Sequence, residues 1–328
     1  MSDARPQGAG PGMIPLQGPI PGQDLQAWVD ARMAIIPYSR MAGMTVTALE
    51  PGRNSVRLPA RPMWCGDTGR NRVHTGAICA LADTACGFAA GTCSSELGAF
   101  ATLDLRMDYL RSADAGLDLV CLAHCHRLSR SVAFVTGEVG QDGEGPIALV
   151  NATFMRTAVA RRGQDGAPGP GAARPQPEPL APEDLRAAAA ATRPALPRGR
   201  SPYVDFLGVA RHPQAHAGPI FRLPFQPDLI GNPRLPAIHG GVLAGFGETV
   251  MRLHLEAAHA KGVPKAVDFS IDYLRPARPV DTYGQGVTIR LGHRVSLVQA
   301  SLWQDDPQRP VAATRGHWLM PLPYQGTM

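Results

Sequence analysis

The feature that most constrains this chain is a block that occurs twice at one spacing. His239-Gly240-Gly241-Val242-Leu243-Ala244-Gly245-Phe246-Gly247-Glu248-Thr249 has a weaker copy in His74-Thr75-Gly76-Ala77-Ile78-Cys79-Ala80-Leu81-Ala82-Asp83-Thr84. In both, a histidine leads an apolar run, and a carboxylate followed by threonine falls nine residues on. The copies stand 165 positions apart, about half of the 328 residues. A second block, Leu105-Arg106-Met107-Asp108-Tyr109-Leu110-Arg111, returns as Phe269-Ser270-Ile271-Asp272-Tyr273-Leu274-Arg275 at an offset of 164. Chance similarity would not preserve the offset, so the chain reads as two copies of one unit, each far longer than a solenoid repeat.

The order of elements is the same in both units. In the first, a helix beginning at Asp24 ends at Pro37, and short strands near 44–49 and 55–58 flank a Pro51-Gly52 turn. The segment from His74 to Ala90 is apolar on most faces and holds one acid, Asp83, which places it inside a fold. Strand-like runs follow at about 101–110, 117–126, 130–139 and 147–157. The second unit has strands near 207–211 and 219–225, a helix from 239 to about 258, and strands near 265–274, 282–291, 295–303 and 310–320. One buried helix beside strands joined by short turns predicts an α+β fold with an antiparallel sheet.

Domain boundaries follow from composition. Residues 1–22 are rich in Gly and Pro without apolar periodicity and read as a disordered tail. Residues 161–200 are dominated by Gly, Pro, Ala and Arg and read as a linker, with a possible short helix near 182–191; the units then span 23–160 and 201–328. The net charge is +5, of which seven arginines against four acids in the linker supply +3, and no periodic basic face points to nucleic acid. With 44% hydrophobic and 18% charged residues, and no apolar run approaching a bilayer span, the expectation is a soluble cytoplasmic protein without a membrane partner. The six cysteines all fall in the first half, two of them within the apolar helix pattern, and suit reduced thiols better than a disulfide framework.

The paired motif has a chemical reading. A helix leaves its first N–H groups without partners and carries partial positive charge there, so His-Gly-Gly entering a helix can polarise a carbonyl oxygen. Nine residues of helix put the carboxylate roughly 13 Å from its own helix start. It therefore has to serve the other helix. Pairing about a pseudo-twofold axis gives two composite sites: site one from Asp83 with His239, Gly240 and Gly241, and site two from Glu248 with His74, Thr75 and Gly76. The acid could attack an acyl carbon or act as general base on water, and the residues leave both open.

With its histidine, glycines, carboxylate nine residues on, and a strand like Asp272-Tyr273-Leu274-Arg275-Pro276-Ala277-Arg278-Pro279, each half resembles the hotdog-fold acyl-CoA thioesterases of the PaaI-like group. The resemblance implies two tandem hotdog domains, each a long helix wrapped by an antiparallel sheet, paired as an intramolecular dimer. It implies acyl-CoA as substrate, no metal and no bound cofactor, and a homodimer of such double units. It gives Asp83 or Glu248 the role of nucleophile or base, and the N–H of Thr75 or Gly240 that of oxyanion donor. An asparagine that the family places before the histidine is matched in spacing by Asn232; Asn71 sits too close. Two departures fall on site two: Thr75 replaces a glycine, and Arg252, one turn after Glu248, can pair with that acid. Site one is therefore the stronger candidate.

Other residues compete for attention. Arg111, Arg130, Arg275 and Arg294 recur in both units and suit the phosphates of CoA, though arginines at strand ends are common surface residues. Cys121, His124, Cys125 and His126 look like zinc ligands, but strand alternation turns the cysteines and the histidines to opposite faces. His254 and His259 fit a solvated end of the second helix. The histidines that lead the two helices fit either a capping or a substrate-orienting role. Two other functions stay open: a hotdog enoyl-CoA hydratase, weakly suggested by Gly231-Asn232-Pro233 before His239, and a non-catalytic acyl-CoA-binding protein with decayed sites.

Overall fold

The computed structural model describes residues 24–93, 99–141, 143–157, 201–213, 218–233, 236–258 and 263–321. The proposed tail, linker and linker helix, together with His259, lie outside them. In the first half come α1 (Leu25–Ile35), α2 (Pro37–Ala42), β1 (Thr45–Glu50), β2 (Arg53–Leu58), β3 (Cys65–Asp67) and β4 (Arg72–Val73). The long α3 (Thr75–Thr92) precedes β5 (Phe100–Tyr109), β6 (Leu119–Leu128), β7 (Val132–Gly140) and β8 (Pro146–Arg156). The second half repeats this with α4 (Pro202–Leu207), β9 (Ala210–Arg211), β10 (Ile220–Leu223), β11 (Ile230–Asn232), β12 (Ala237–Ile238), α5 (Gly240–Ala258), β13 (Lys265–Ala266), β14 (Asp268–Tyr273), β15 (Thr282–Arg290), β16 (Val295–Trp303) and β17 (Ala312–Leu319).

The architecture is two tandem hotdog units sharing one antiparallel sheet. Its strand order is β1-β2-β6-β7-β8-β5-β14-β17-β16-β15-β10-β9, with β13 beside β17. The halves meet edge to edge where β5 pairs β14, Arg106 opposite Ser270 and Leu105 opposite Ile271. Joining these edges removes two rows of unpaired backbone groups that separate units would expose. α3 and α5 lie on the inner face of this sheet, and nearly every α3 residue is buried, as its apolar circumference requires.

The helix expected from Asp24 is capped by Asp24 and stops at Ile35, before Pro37 as expected, but Pro37 also opens the short α2, because proline suits the first position of a helix, where its missing N–H is not needed. The strand expected at 207–211 is instead the end of α4 followed by a two-residue strand. Both short helices stop at a glycine in the left-handed region, Gly43 at φ 71° and Gly208 at φ 67°. Along β6 the cysteines face inward and His124 and His126 outward, as alternation requires. His254 departs from its expected solvated position: it is half-buried and its Nε2 bonds Thr288 Oγ1 at 3.0 Å.

Candidate active site

The central helices cross antiparallel at their small residues. Gly76 lies against Gly245, whose Cα would stand 2.6 Å from a methyl on Gly76, and Gly241 lies closer still to the backbone of Ala80. This packing carries each helix's carboxylate to the first turn of the other. The composite sites proposed from the repeat are therefore both formed, but they differ.

At site one, Asp83 is buried and fully engaged. Its Oδ2 accepts from the N–H of Gly241 at 2.8 Å, and its Oδ1 accepts from the hydroxyl of Thr102 at 2.8 Å. Thr102 reaches inward because β5 has an irregularity between Thr102 and Asp104, which reverses the alternation that keeps Leu105, Met107 and Tyr109 inside. Gly240 contributes the first amide of α5, and among the described residues nothing accepts from it. A methyl on Gly240 would stand 2.9 Å from Asp83 Oδ2, so the acid sits beside that amide. Tyr273 donates its hydroxyl to the Gly240 carbonyl at 2.8 Å and fixes the turn.

The tautomer of His239 follows from its neighbours. Thr84 donates its one hydroxyl proton to the Ala80 carbonyl at 2.8 Å, so in its 3.1 Å contact with His239 Nε2 the ring nitrogen is the donor. Nδ1 then accepts from the Gly241 N–H at 3.0 Å. Burial lowers the ring's pKa, opposed by Asp83, whose Oδ2 is 3.4 Å from Nδ1. His239 is thus a neutral cap of α5, with both ring nitrogens in use.

At site two, His74 caps α3 in the same way, its Nδ1 accepting from Gly76 N–H at 3.0 Å, and burial and the Arg252 charge lower its pKa well below the usual histidine value. Glu248 is 1% exposed, and neither carboxylate oxygen has a hydrogen-bonding partner among the described residues. Burial lifts its pKa to about 7, against the lowering effects of the nearby Thr75 and Tyr109 hydroxyls and of Arg252; those hydroxyls approach without closing a well-formed bond. Tyr109 instead lies 3.1 Å from Cys79 Sγ, whereas its counterpart Tyr273 grips the helix start. The expected Arg252–Glu248 pair does not form: the ion pair Arg252 makes is with Glu256, one turn onward at 3.7 Å. Both acids lie four residues from Arg252, and Glu256 is reached at less cost because it is nearer solvent.

Two residues absent from the sequence reading complete the sites. The Tyr38 ring packs on His239 with centroids 4.8 Å apart, and the Tyr203 ring stacks on His74 at 4.4 Å. Each tyrosine therefore covers the histidine of the other half. They had a signal: Pro37-Tyr38 and Pro202-Tyr203 stand at the offset of 165 shown by the histidines, each five residues before a glycine.

The wider candidates divide. Asn232 ends β11, next to Gly231, which packs against the Cα of His239. Its counterpart at the common offset is Asp67, while Asn71 is a turn residue with φ 50° bonded to Asp114. Arg111 donates to the carbonyls of Glu144 and Gly145, and Arg275 to that of Pro310, so both brace hairpin turns. Arg130 and Arg294 are exposed at the β6–β7 and β15–β16 turns.

Comparison with known proteins identifies this arrangement. The family model of the thioesterase superfamily matches twice, over residues 71–148 and 235–311, each match containing one histidine-led helix. The chain belongs to the thioesterase superfamily. Three solved structures support the tandem form of this thioesterase-superfamily chain. A protein of Novosphingobium aromaticivorans is 16% identical with TM-score 0.57, covering 84% of this chain and 98% of its own. A hot dog fold protein of unknown function from Alicyclobacillus acidocaldarius is 17% identical with TM-score 0.55, over 85% and 96%. The acyl-CoA thioesterase II TesB2 of Mycobacterium marinum is 15% identical with TM-score 0.54, over 85% and 97%. At such identities they establish the fold. No curated protein sequence matches the chain. Among the described residues of this superfamily member, no helix is long and apolar enough to cross a membrane.

Proposed function

We propose that the chain hydrolyses acyl-CoA thioesters at site one. The observation that carries this reading is the placement of the Asp83 carboxylate beside the unengaged N–H of Gly240. A thioester oxygen accepting from that amide gains more as it becomes an oxyanion, helped by the positive end of α5. Asp83 is the general base: water loses a proton to the carboxylate as its oxygen attacks the acyl carbon, and the thiolate of CoA leaves. The bonds from Thr102 and Gly241 hold the carboxylate in place to take a proton from a water. The exposed Arg130 and Arg294 are the candidates for CoA phosphate contacts.

The hydratase alternative needs a histidine that moves protons. His239 has neither nitrogen available, which favours hydrolysis. Thiol release from short, long and aromatic acyl-CoAs tests the reading, and single-turnover hydrolysis in heavy-oxygen water separates the two roles of Asp83. Label found in Asp83, with unlabelled acid released, would show attack by the carboxylate and an anhydride opened at the aspartyl carbon, and would contradict the general-base role. Loss of enoyl-CoA absorbance without thiol release would favour the hydratase.

A further inference from the structure

We propose that site two binds a monocarboxylate with an apolar tail, the class of compound that thioester hydrolysis releases. Three groups of this site lack a well-formed hydrogen bond among the described residues: both oxygens of the buried Glu248, which the Thr75 and Tyr109 hydroxyls approach, the N–H of Thr75 at the start of an 18-residue helix, and the buried Nε of Arg252, one turn after Glu248. The Arg252 charge is felt at both Glu248 and His74, so it acts across the site.

The same scaffold has the opposite electrostatics at site one. Gly87 stands there at the position of Arg252, and Asp83 is already satisfied by Thr102 and Gly241. A ligand carboxylate meets a carboxylate without a neighbouring cation at site one, and a cation, a helix start and a protonatable acid at site two. A thioester oxygen could accept from Thr75 N–H but would leave Glu248 unpaired. A carboxylate can accept from the amide and share one proton with Glu248, satisfying both. That this ligand is the reaction's product rests on the hydrolase reading; the binding does not.

The groups facing Glu248 do not titrate near neutrality. Burial raises Tyr109 from β5, Cys79 from α3 and Tyr203 from α4, while His74 is lowered; the guanidinium of Arg252 is on the same helix as Glu248. Glu248 therefore sets the pH dependence: above its own pKa of about 7 it must take up a proton as the ligand binds, and affinity falls.

Calorimetry on the full chain, with butyrate, hexanoate and phenylpropionate as probes, decides the matter. Expected are saturable binding of at least one probe at about pH 6, weakening toward about pH 8. Arg252→Met lowers affinity by about tenfold or more, and Glu248→Gln retains binding but loses its pH dependence. No saturable binding, affinity unchanged in Arg252→Met, or wild-type binding that strengthens with pH would each overturn the proposal. If the Arg252 variant does not fold, the Glu248→Gln pH comparison decides alone. Thiol release on the same preparations separates the readings: a chain that binds a probe without releasing thiol overturns only the hydrolase, and a chain that releases thiol without binding overturns only this site.

Discussion

Asp83 and Gly241 lie 158 residues apart, in different halves of the chain, and a 2.8 Å hydrogen bond joins them across the helix crossing. That bond makes catalysis a property of the paired halves. Neither half alone contains both the acid and the amide beside it.

Gly240 is predicted to be irreplaceable for turnover. Gly240→Ala puts a methyl 2.9 Å from Asp83 Oδ2 and pushes the acid away from the oxyanion amide. The expected loss is about a hundredfold in kcat with little change in melting temperature, read by steady-state kinetics. Thr75→Gly, the reciprocal change at site two, leaves the rate within about twofold.

The crossing itself limits stability. A methyl at Gly241 meets backbone at Ala80, which cannot swing aside as a side chain would. Gly241→Ala should cost about 1–3 kcal/mol in denaturant unfolding. A neutral result would mean that the helices are farther apart than described here.

Tyr38 and Tyr203 offer an internal control, being equally buried and each packed on a histidine ring, tilted for Tyr38 and stacked for Tyr203. Both Tyr38→Leu and Tyr203→Leu should lower the melting temperature. Only Tyr38→Leu should also lower kcat, because it frees His239 to turn away from Gly241, and Tyr38→Phe should restore it. Equal effects of the two on kcat would contradict the assignment of turnover to site one.

Glu248 gives stability an unusual pH dependence. Its folded-state pKa of about 7 lies above the ordinary value of 4.5, so the unfolded chain releases this proton first. Its contribution is intact below about pH 4.5, declines as pH rises toward 7, and is then flat, with a total loss of about 3 kcal/mol at most. His74 and His239, with lowered values, act oppositely and destabilise as pH falls below about 6.5. Comparing wild type with Glu248→Gln cancels the histidines: the variant should gain on wild type from about pH 5 to 7 and hold its advantage above. A constant difference would contradict the burial of Glu248.

Much of this was legible in the sequence because a repeat carries long-range information. One offset relating His74 to His239 and Asp83 to Glu248 suggested a pseudo-twofold, and the length of a nine-residue helical step required each acid to serve the other half. Thr102 was hidden because its inward turn depends on a strand irregularity that no residue pattern marks. Tyr38 was hidden because nothing marked the short helix that Pro37 opens just after α1, and Tyr203 because the stretch after Pro202 was read as leading into a strand. Arg252 stands four residues from acids on both sides, and only packing shows that it pairs with Glu256.

The most direct test compares two single substitutions in a thiol-release assay on one acyl-CoA substrate. Asp83→Asn, with folding confirmed, should lower kcat by about a thousandfold, while Glu248→Gln should stay within about twofold of wild type. Wild-type turnover by Asp83→Asn would contradict the claim that an acid from the first half works at the helix start of the second.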